Sequence, residues 1–228
     1  MPTIVFVSPK GGVGKTTSAL VLATQLARGT TVTVIDADPN HPIATWAKGG
    51  DIPKNLTIKA DADEDNIIEK IEEASSESSF VIVDLEGTAS KIVVMAVSHA
   101  DFVIVPTQGS QLDAEQAGRA LRVIQQHEKI VRRSQPDYFL PYSVLLTRTN
   151  PTIRARTLSH IENGLIKANI PVFETEMNER EAFRAIFSFQ KTLERLNNTD
   201  VPNLDKAIKN AEAFTHELIG KLRTKNDK

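Results

Sequence analysis

The 228-residue sequence has no cysteine. That removes disulfides, thiolate metal sites, cysteine nucleophiles and cysteine-ligated iron–sulfur clusters from consideration. No apolar run approaches the ~20 residues that a membrane span requires, and Met1 leads directly into a strand pattern without a signal-like stretch. The expectation is a cytoplasmic protein. Aromatic residues make up 5% of the chain, with one tryptophan, Trp46, which reads as a packing residue. His41, His99, His127, His160 and His216 show no metal-ligand spacing. Linkers, internal repeats and low-complexity segments are also lacking, so one α/β domain over residues 1–228 is expected. The composition, 40% hydrophobic and 25% charged, is ordinary for a globular protein. The net charge of −2 excludes a polybasic chain, but it is unevenly spread. Residues 1–114 carry 8 Lys and Arg against 15 Asp and Glu, and residues 115–228 carry 19 against 14. Such asymmetry fits either a polyanion-binding side or an ordinary solvated surface.

The most informative stretch is Ser8-Pro9-Lys10-Gly11-Gly12-Val13-Gly14-Lys15-Thr16-Thr17. It follows the apolar run 4–7 and precedes a helical pattern, which makes a strand, a glycine turn and a helix N-terminus in that order. Backbone N–H groups of such a turn point inward, and the helix dipole adds positive potential where phosphates sit. Gly11, Gly12 and Gly14 permit the tight curl and close anion approach. Lys15 is placed to reach β- and γ-phosphates, the Thr16 hydroxyl to ligate Mg²⁺, and Val13 and Thr17 complete the cradle. The usual P-loop has glycine where Pro9 stands, and Lys10 adds a second lysine, so the match is to a variant.

Downstream, the β-rich run 31–35 leads into Asp36-Ala37-Asp38-Pro39, and the run 80–83 leads into Asp84. Open α/β sheets bind ligands at the carboxyl ends of their strands, where both acidic groups fall. Asp84 suits Mg²⁺ binding through water, behind a continuous apolar strand buried on both faces. Strands are predicted also at 56–58, 102–105, 142–147 and 172–173. Helices are predicted at 16–28, 42–48, 63–73, 90–100 and 113–133, from Pro151 behind an Asn150 cap, and at 178–187 and 204–222. This alternation predicts a doubly wound, mainly parallel sheet flanked by helices.

The octet Lys10 to Thr17 resembles the deviant P-loop of the ParA/MinD family of dimeric ATPases. The segment Asp36-Ala37-Asp38-Pro39 is similar to that family's switch I, and residues 179–187 resemble the short ParA-type members without an N-terminal helix-turn-helix domain. The resemblance implies that Lys10 crosses a dimer interface to the partner's nucleotide, Asp38 positions the attacking water, and Asp36 supports the Mg²⁺ shell. It also implies a nucleotide-base side near Pro106, Thr107 and Gln108. Leu85-Glu86-Gly87-Thr88-Ala89 departs from the double proline often found in switch II. The implied activity is slow ATP hydrolysis with Mg²⁺, in a homodimer that forms with ATP and binds DNA without sequence preference. A ParB-like or cargo-adaptor protein would stimulate hydrolysis, and the cargo would be a plasmid, a chromosomal region or a large protein assembly. A nucleoid-associated location follows from the same resemblance.

Candidate DNA contacts lie in the positive half: Arg148, Arg154, Arg156, Arg180, Arg184, Lys221 and Arg223. Two alternatives stand beside this reading. A MinD-like membrane regulator would use the last helix, whose stripe Leu204, Ile208, Ala211, Leu218 and Leu222 instead reads as core-docking because its other side mixes charges. A metabolic P-loop ligase resembling dethiobiotin synthetase shares the fold, and Lys10 argues against it.

Overall fold

In the computed structural model, residues 1–86, 91–199 and 201–226 are described. Successive side chains of β1 (Thr3–Phe6) leave opposite faces of the sheet, so Ile4 and Phe6 enter one core while Val5 and Val7 enter another. The same alternation divides Val32 and Val34 from Ile35 in β2 (Val32–Ala37), and Ile82 from Val81 and Val83 in β4 (Phe80–Leu85). With β3 (Leu56–Lys59), β5 (Phe102–Thr107), β6 (Tyr142–Thr149) and β7 (Met177–Asn178) they form one sheet in the order β3-β2-β4-β1-β5-β6-β7. All its neighbours pair in parallel. Burial on both faces explains why these strands are nearly all apolar.

One face is covered by α1 (Lys15–Leu26), α2 (Pro42–Ala47), α7 (Glu181–Ser188) and α8 (Leu204–Asn226). The other carries α3 (Ile67–Glu77), α4 (Lys91–Ser98), α5 (Gln111–Val131) and α6 (Arg156–Lys167). Helices on both faces of a parallel sheet make the doubly wound architecture that the alternating pattern predicts. Of the stripe expected on α8, Leu204, Ala211 and Leu218 are buried in the core beside Ala207 and Phe214, while Ile208 and Leu222 are partly buried against it. Trp46 is buried on the same side, with its indole N–H donating to the Lys191 carbonyl at 3.3 Å.

Three expectations need correction. No helix begins at Pro151, because the Asn150 carboxamide oxygen accepts the N–H groups of Thr152 and Ile153 at 2.8 and 2.9 Å and closes a turn. The helix starts at Arg156, behind an uncapped Ala155. The strand expected at 172–173 reduces to an isolated bridge between Val144 and Val172. The seventh strand is Met177–Asn178 instead, taking the first residue of the helix expected at 178–187, and α7 opens only at Glu181. There the Asn178 N–H donates to Asn210 of α8 at 3.0 Å, so tertiary partners override local propensity. Of the expected switch II segment, Gly87, Thr88 and Ala89 lie outside the described residues, as does the expected helix start at Ser90.

Candidate functional site

The P-loop leaves β1 at the middle of the sheet and ends at α1, whose N-cap is Gly14. Gly12 and Gly14 have φ of 76° and 86°, the left-handed region that an L side chain adopts only with strain. The loop is braced from two neighbouring strands. The Gln108 amide donates to the Gly12 carbonyl at 2.9 Å, and the Thr147 hydroxyl donates to the carbonyls of Val13 and Thr107 at 2.7 and 3.0 Å. Thr147 does not stand out in the sequence, and Gln108 is expected there only on the nucleotide-base side, because each bracing contact comes from a strand end distant from the motif. Pro106 lies inside β5, in register with Leu145, and is buried; it lines neither of the clefts described below.

A cleft at this end brings together Lys10, Gly11, Gly12, Gly14, Lys15, Thr16, Thr17, Asp38 and Arg148. Beneath it, Asp36 and Asp84 stand side by side in the β2–β4 register, each with no exposed surface. Lys15 is buried, and its Nζ donates to Asp84 Oδ1 at 2.8 Å. Burial pushes the Asp84 carboxyl above its ordinary range, against the opposing pull of Lys15. Asp36 is likewise raised by burial, opposed by the N–H groups of Ala44 and Ile43. Those two groups donate to Asp36 Oδ2 at 2.8 Å each, so Asp36 closes the N-terminus of α2, to which His41 offers no side-chain cap. Asp36 Oδ1 and Asp84 Oδ2 are buried without a hydrogen-bond partner among the described residues. Two adjacent orphan carboxylate oxygens beside a threonine hydroxyl and an anion cradle fit a magnesium ion with a nucleoside triphosphate. Asp38, at the rim, accepts the backbone and side-chain N–H groups of Asn40 at 2.9 and 3.1 Å.

Lys10 lines the same cleft, but its ammonium is held on an acid other than Asp84. Its Nζ donates to Asp113 Oδ1 at 2.5 Å, and the Ser110 hydroxyl holds the other oxygen. Burial raises the Asp113 carboxyl, but the hydrogen bonds from Lys10 and Ser110 outweigh it and bring the net shift below the usual carboxylate range. The Lys10 side chain remains 37% exposed, against 7% for Lys15.

A second cleft opens beside Gly14 and Thr17, lined by Thr147, Arg148, Met177, Asn178, Arg180 and Phe183 among others. Arg148 occupies the irregularity in the β6–β7 pairing with φ of 52°, and it lines both clefts. The residues proposed for DNA contact therefore do not share one surface. Arg148, Arg180 and Arg184 lie at the cleft end, whereas Arg223 lines a hollow with Met1, Pro2 and Phe80 at the opposite, amino-terminal end of the strands. Most of them also have internal partners. Arg154 bridges Glu176 and Glu162 at 2.6 and 2.5 Å, and Arg184 pairs with Glu179 and Glu181. Arg180 donates to Asn178 at 3.0 Å, and Lys221 pairs with Glu217 at 3.3 Å while lying over the Phe173 ring. Arg156 is exposed and unpaired among the described residues.

The family model described as VirC1 protein matches residues 1–219. Protein ParA of Rhizobium radiobacter is 37% identical over 223 residues, which is 97% of this chain and 98% of that protein. Among solved structures, apo McdA from Cyanothece superposes with a TM-score of 0.70 at 18% identity, covering 92% of this chain and 99% of that one. The MinD cell division protein of Aquifex aeolicus does so with a TM-score of 0.70 at 19% identity, covering 96% and 98%. At such identities the two structures show the shared fold. Together with the P-loop and its paired aspartates, the family match and the 37% relative establish that the chain belongs to the VirC1 family, within the ParA/MinD family of P-loop ATPases.

Proposed function

We propose that this chain is an ATP-dependent dimerisation switch that binds DNA non-specifically and positions a plasmid, chromosomal region or large assembly, at the nucleoid in the cytoplasm. The observation that carries the reading is the separation of the two P-loop lysines. Lys15 is buried on Asp84 within its own cradle, while the Lys10 ammonium, 37% exposed, is held on Asp113 instead. A lysine set apart from its own phosphates suits contact with a nucleotide bound by a second copy, and the same-length relative named ParA supports a partition role.

Magnesium, when bound, would neutralise the triphosphate and polarise its terminal phosphorus–oxygen bonds. Thr16, Asp84 and Asp36 would hold it, through the hydroxyl and the two orphan carboxylate oxygens. The inward N–H groups of Gly11 to Thr17 would bind the phosphates, and Lys15 would exchange Asp84 for phosphate oxygens. Asp38 would orient water at the rim. Met177 to Arg180 and Arg148 would enclose the nucleoside end. Slow hydrolysis fits a cleft whose lining residues include a single carboxylate, Asp38. A ParB-like or adaptor protein would then accelerate turnover by ordering the rim.

The test is light-scattering mass measurement with ATP and Mg²⁺, alongside turnover. Asp38→Ala should accumulate as a dimer and hydrolyse at least ~100-fold more slowly, the scale of a lost positioning or general-base group. Lys10→Ala should remain monomeric. An Asp38→Ala protein that stays monomeric and hydrolyses at the wild-type rate would overturn the proposal.

A further inference from the structure

We propose that the outer surface of α5 and α6 is the DNA-docking face of this protein. The inference rests on the DNA-binding reading above and replaces the scattered arginines with a specific surface. Arg119, Arg122, Lys129 and Arg133 are all exposed along α5 and its end. At 100° per residue they fall within an arc of about 80°, and from Arg119 to Arg133 the stripe runs about 21 Å. That length matches roughly six base pairs of duplex at 3.4 Å per step. On the neighbouring α6, Arg156 and Lys167 are exposed too. Ala117, Leu121 and Ile124 of α5 and Ile161 and Leu165 of α6 share one core, so both helices turn their outer faces the same way.

Pairing separates this surface from the rest. None of the six side chains enters an ion pair or side-chain hydrogen bond among the described residues. The acid on the α5 line, Glu115, sits one turn before Arg119 and forms no ion pair among the described residues, and Glu128 is buried on Arg132 and the Leu140 N–H. An unpaired cation keeps its counterions until a phosphate displaces them, and that release drives non-specific binding. A cation already held by glutamate must first give that partner up. Arginine's planar fork also suits phosphate oxygens better than ammonium does. The exposed large apolar residues of the two helices are Leu112, Ile130 and Ile166, and Leu112 and Ile130 lie about five turns apart, too sparse to form the continuous apolar face that a lipid surface would need.

The variant Arg119→Glu/Arg122→Glu/Lys129→Glu tests this in the full chain with ATP and Mg²⁺. Anisotropy titration of a fluorescent 40-base-pair duplex over a salt series is the readout, with the three Ala substitutions as a milder second variant. Each lost phosphate contact should cost about 8-fold in affinity at 0.1 M salt, and three should cost roughly 500-fold and flatten the log–log salt slope by about 2.7. Nucleotide affinity and basal turnover should match wild type, which also shows that the variant folds. If wild type binds duplex and both variants bind it equally well with the same slope, the face is wrong while the DNA reading stands. If wild type with ATP retains no duplex at low salt, the DNA reading itself fails. Capture of wild type by phosphatidylglycerol vesicles instead, lost in the triple variants, would assign the face to a membrane and overturn the proposal.

Discussion

Two populations of cations divide this molecule. At the nucleotide end, Lys15, Lys10, Arg154 and Arg184 each lie on a carboxylate of the same chain. Along α5 and α6, Arg119, Arg122, Lys129, Arg133, Arg156 and Lys167 have no such partner among the described residues. The helical layer that carries them is charged in opposite senses at its two edges. Residues 61–77, around α3, hold eight acids and one lysine, whereas residues 119–133 hold five cations and one acid. The charge asymmetry between sequence halves is thus laid out in space across α3, α4, α5 and α6. Pairing inside the chain neutralises a cation and fixes its position, which serves a site that must be pre-set. Leaving it unpaired keeps it available to an outside anion, which serves a surface.

The comparison breaks most sharply at Lys15. Its pair with Asp84 is buried, so Lys15→Ala removes the phosphate contact and strands a carboxylate without its partner. Nucleotide titration should show affinity reduced at least ~100-fold, the scale of two or more lost charge-assisted hydrogen bonds. The nucleotide-free protein should also lose stability, by at most about 3–5 kcal/mol, since the buried carboxyl can take up a proton instead of remaining charged. Unchanged nucleotide affinity would remove Lys15 from the phosphate site. Thr16→Ala, which leaves the buried pair in place, should lose Mg²⁺-dependent affinity without the stability loss.

What was legible in the sequence follows the same division. Lys15, Asp84 and the glycine turn are visible because strand, turn and helix are contiguous and the motif demands particular residues at fixed spacing. The sheet is visible because strands buried on both faces leave unbroken apolar runs. The braces Gln108 and Thr147 are not, since they meet the P-loop only after β5 and β6 pair beside β1. Helix starts were misread where a side chain closes a turn of its own. Asn150 does so ahead of α6, and Asp63, which accepts the N–H groups of Asp65 and Asn66, delays α3 to Ile67. The unpaired cations of α5 cannot be told in sequence from paired ones, because pairing is set by the fold. Arg154 and Arg156 look equivalent in sequence, and only the fold shows that the first is clamped by two glutamates.

A smaller effect sharpens the role of Asp36, whose two oxygens do different things. Oδ2 closes the first turn of α2 and Oδ1 stays free beside Asp84. Asp36→Ala should open that turn, costing about 0.5–2 kcal/mol as for other helix caps. Asp36→Asn keeps an acceptor and should restore most of the loss. Hydrogen exchange at the Ile43 and Ala44 amides checks this, and protection unchanged in Asp36→Ala would refute the capping role. If Asn restores amide protection but not Mg²⁺-dependent nucleotide affinity, the two functions of the carboxylate are separated.

The smallest expected effect is also the most direct trial of the division between paired and unpaired cations. Arg154 joins Glu162 of α6 to Glu176 ahead of β7, and its hydrogen bonds to both hold the guanidinium above its usual range. Its side chain is 44% exposed, so solvent screens both contacts and the clamp contributes only about 0.5–1 kcal/mol. Arg154→Ala should lower the urea midpoint by that small amount and leave duplex affinity within about twofold of wild type. Arg122 is exposed and makes no ion pair or side-chain hydrogen bond among the described residues, so Arg122→Ala should leave stability within about 0.5 kcal/mol. Its duplex affinity at 0.1 M salt should nevertheless fall about 8-fold, the share of one phosphate contact. The two arginines therefore predict opposite pairs of outcomes from the same substitution. Should Arg154→Ala weaken duplex binding as much as Arg122→Ala while leaving stability untouched, internal pairing would not be what decides which cations meet DNA.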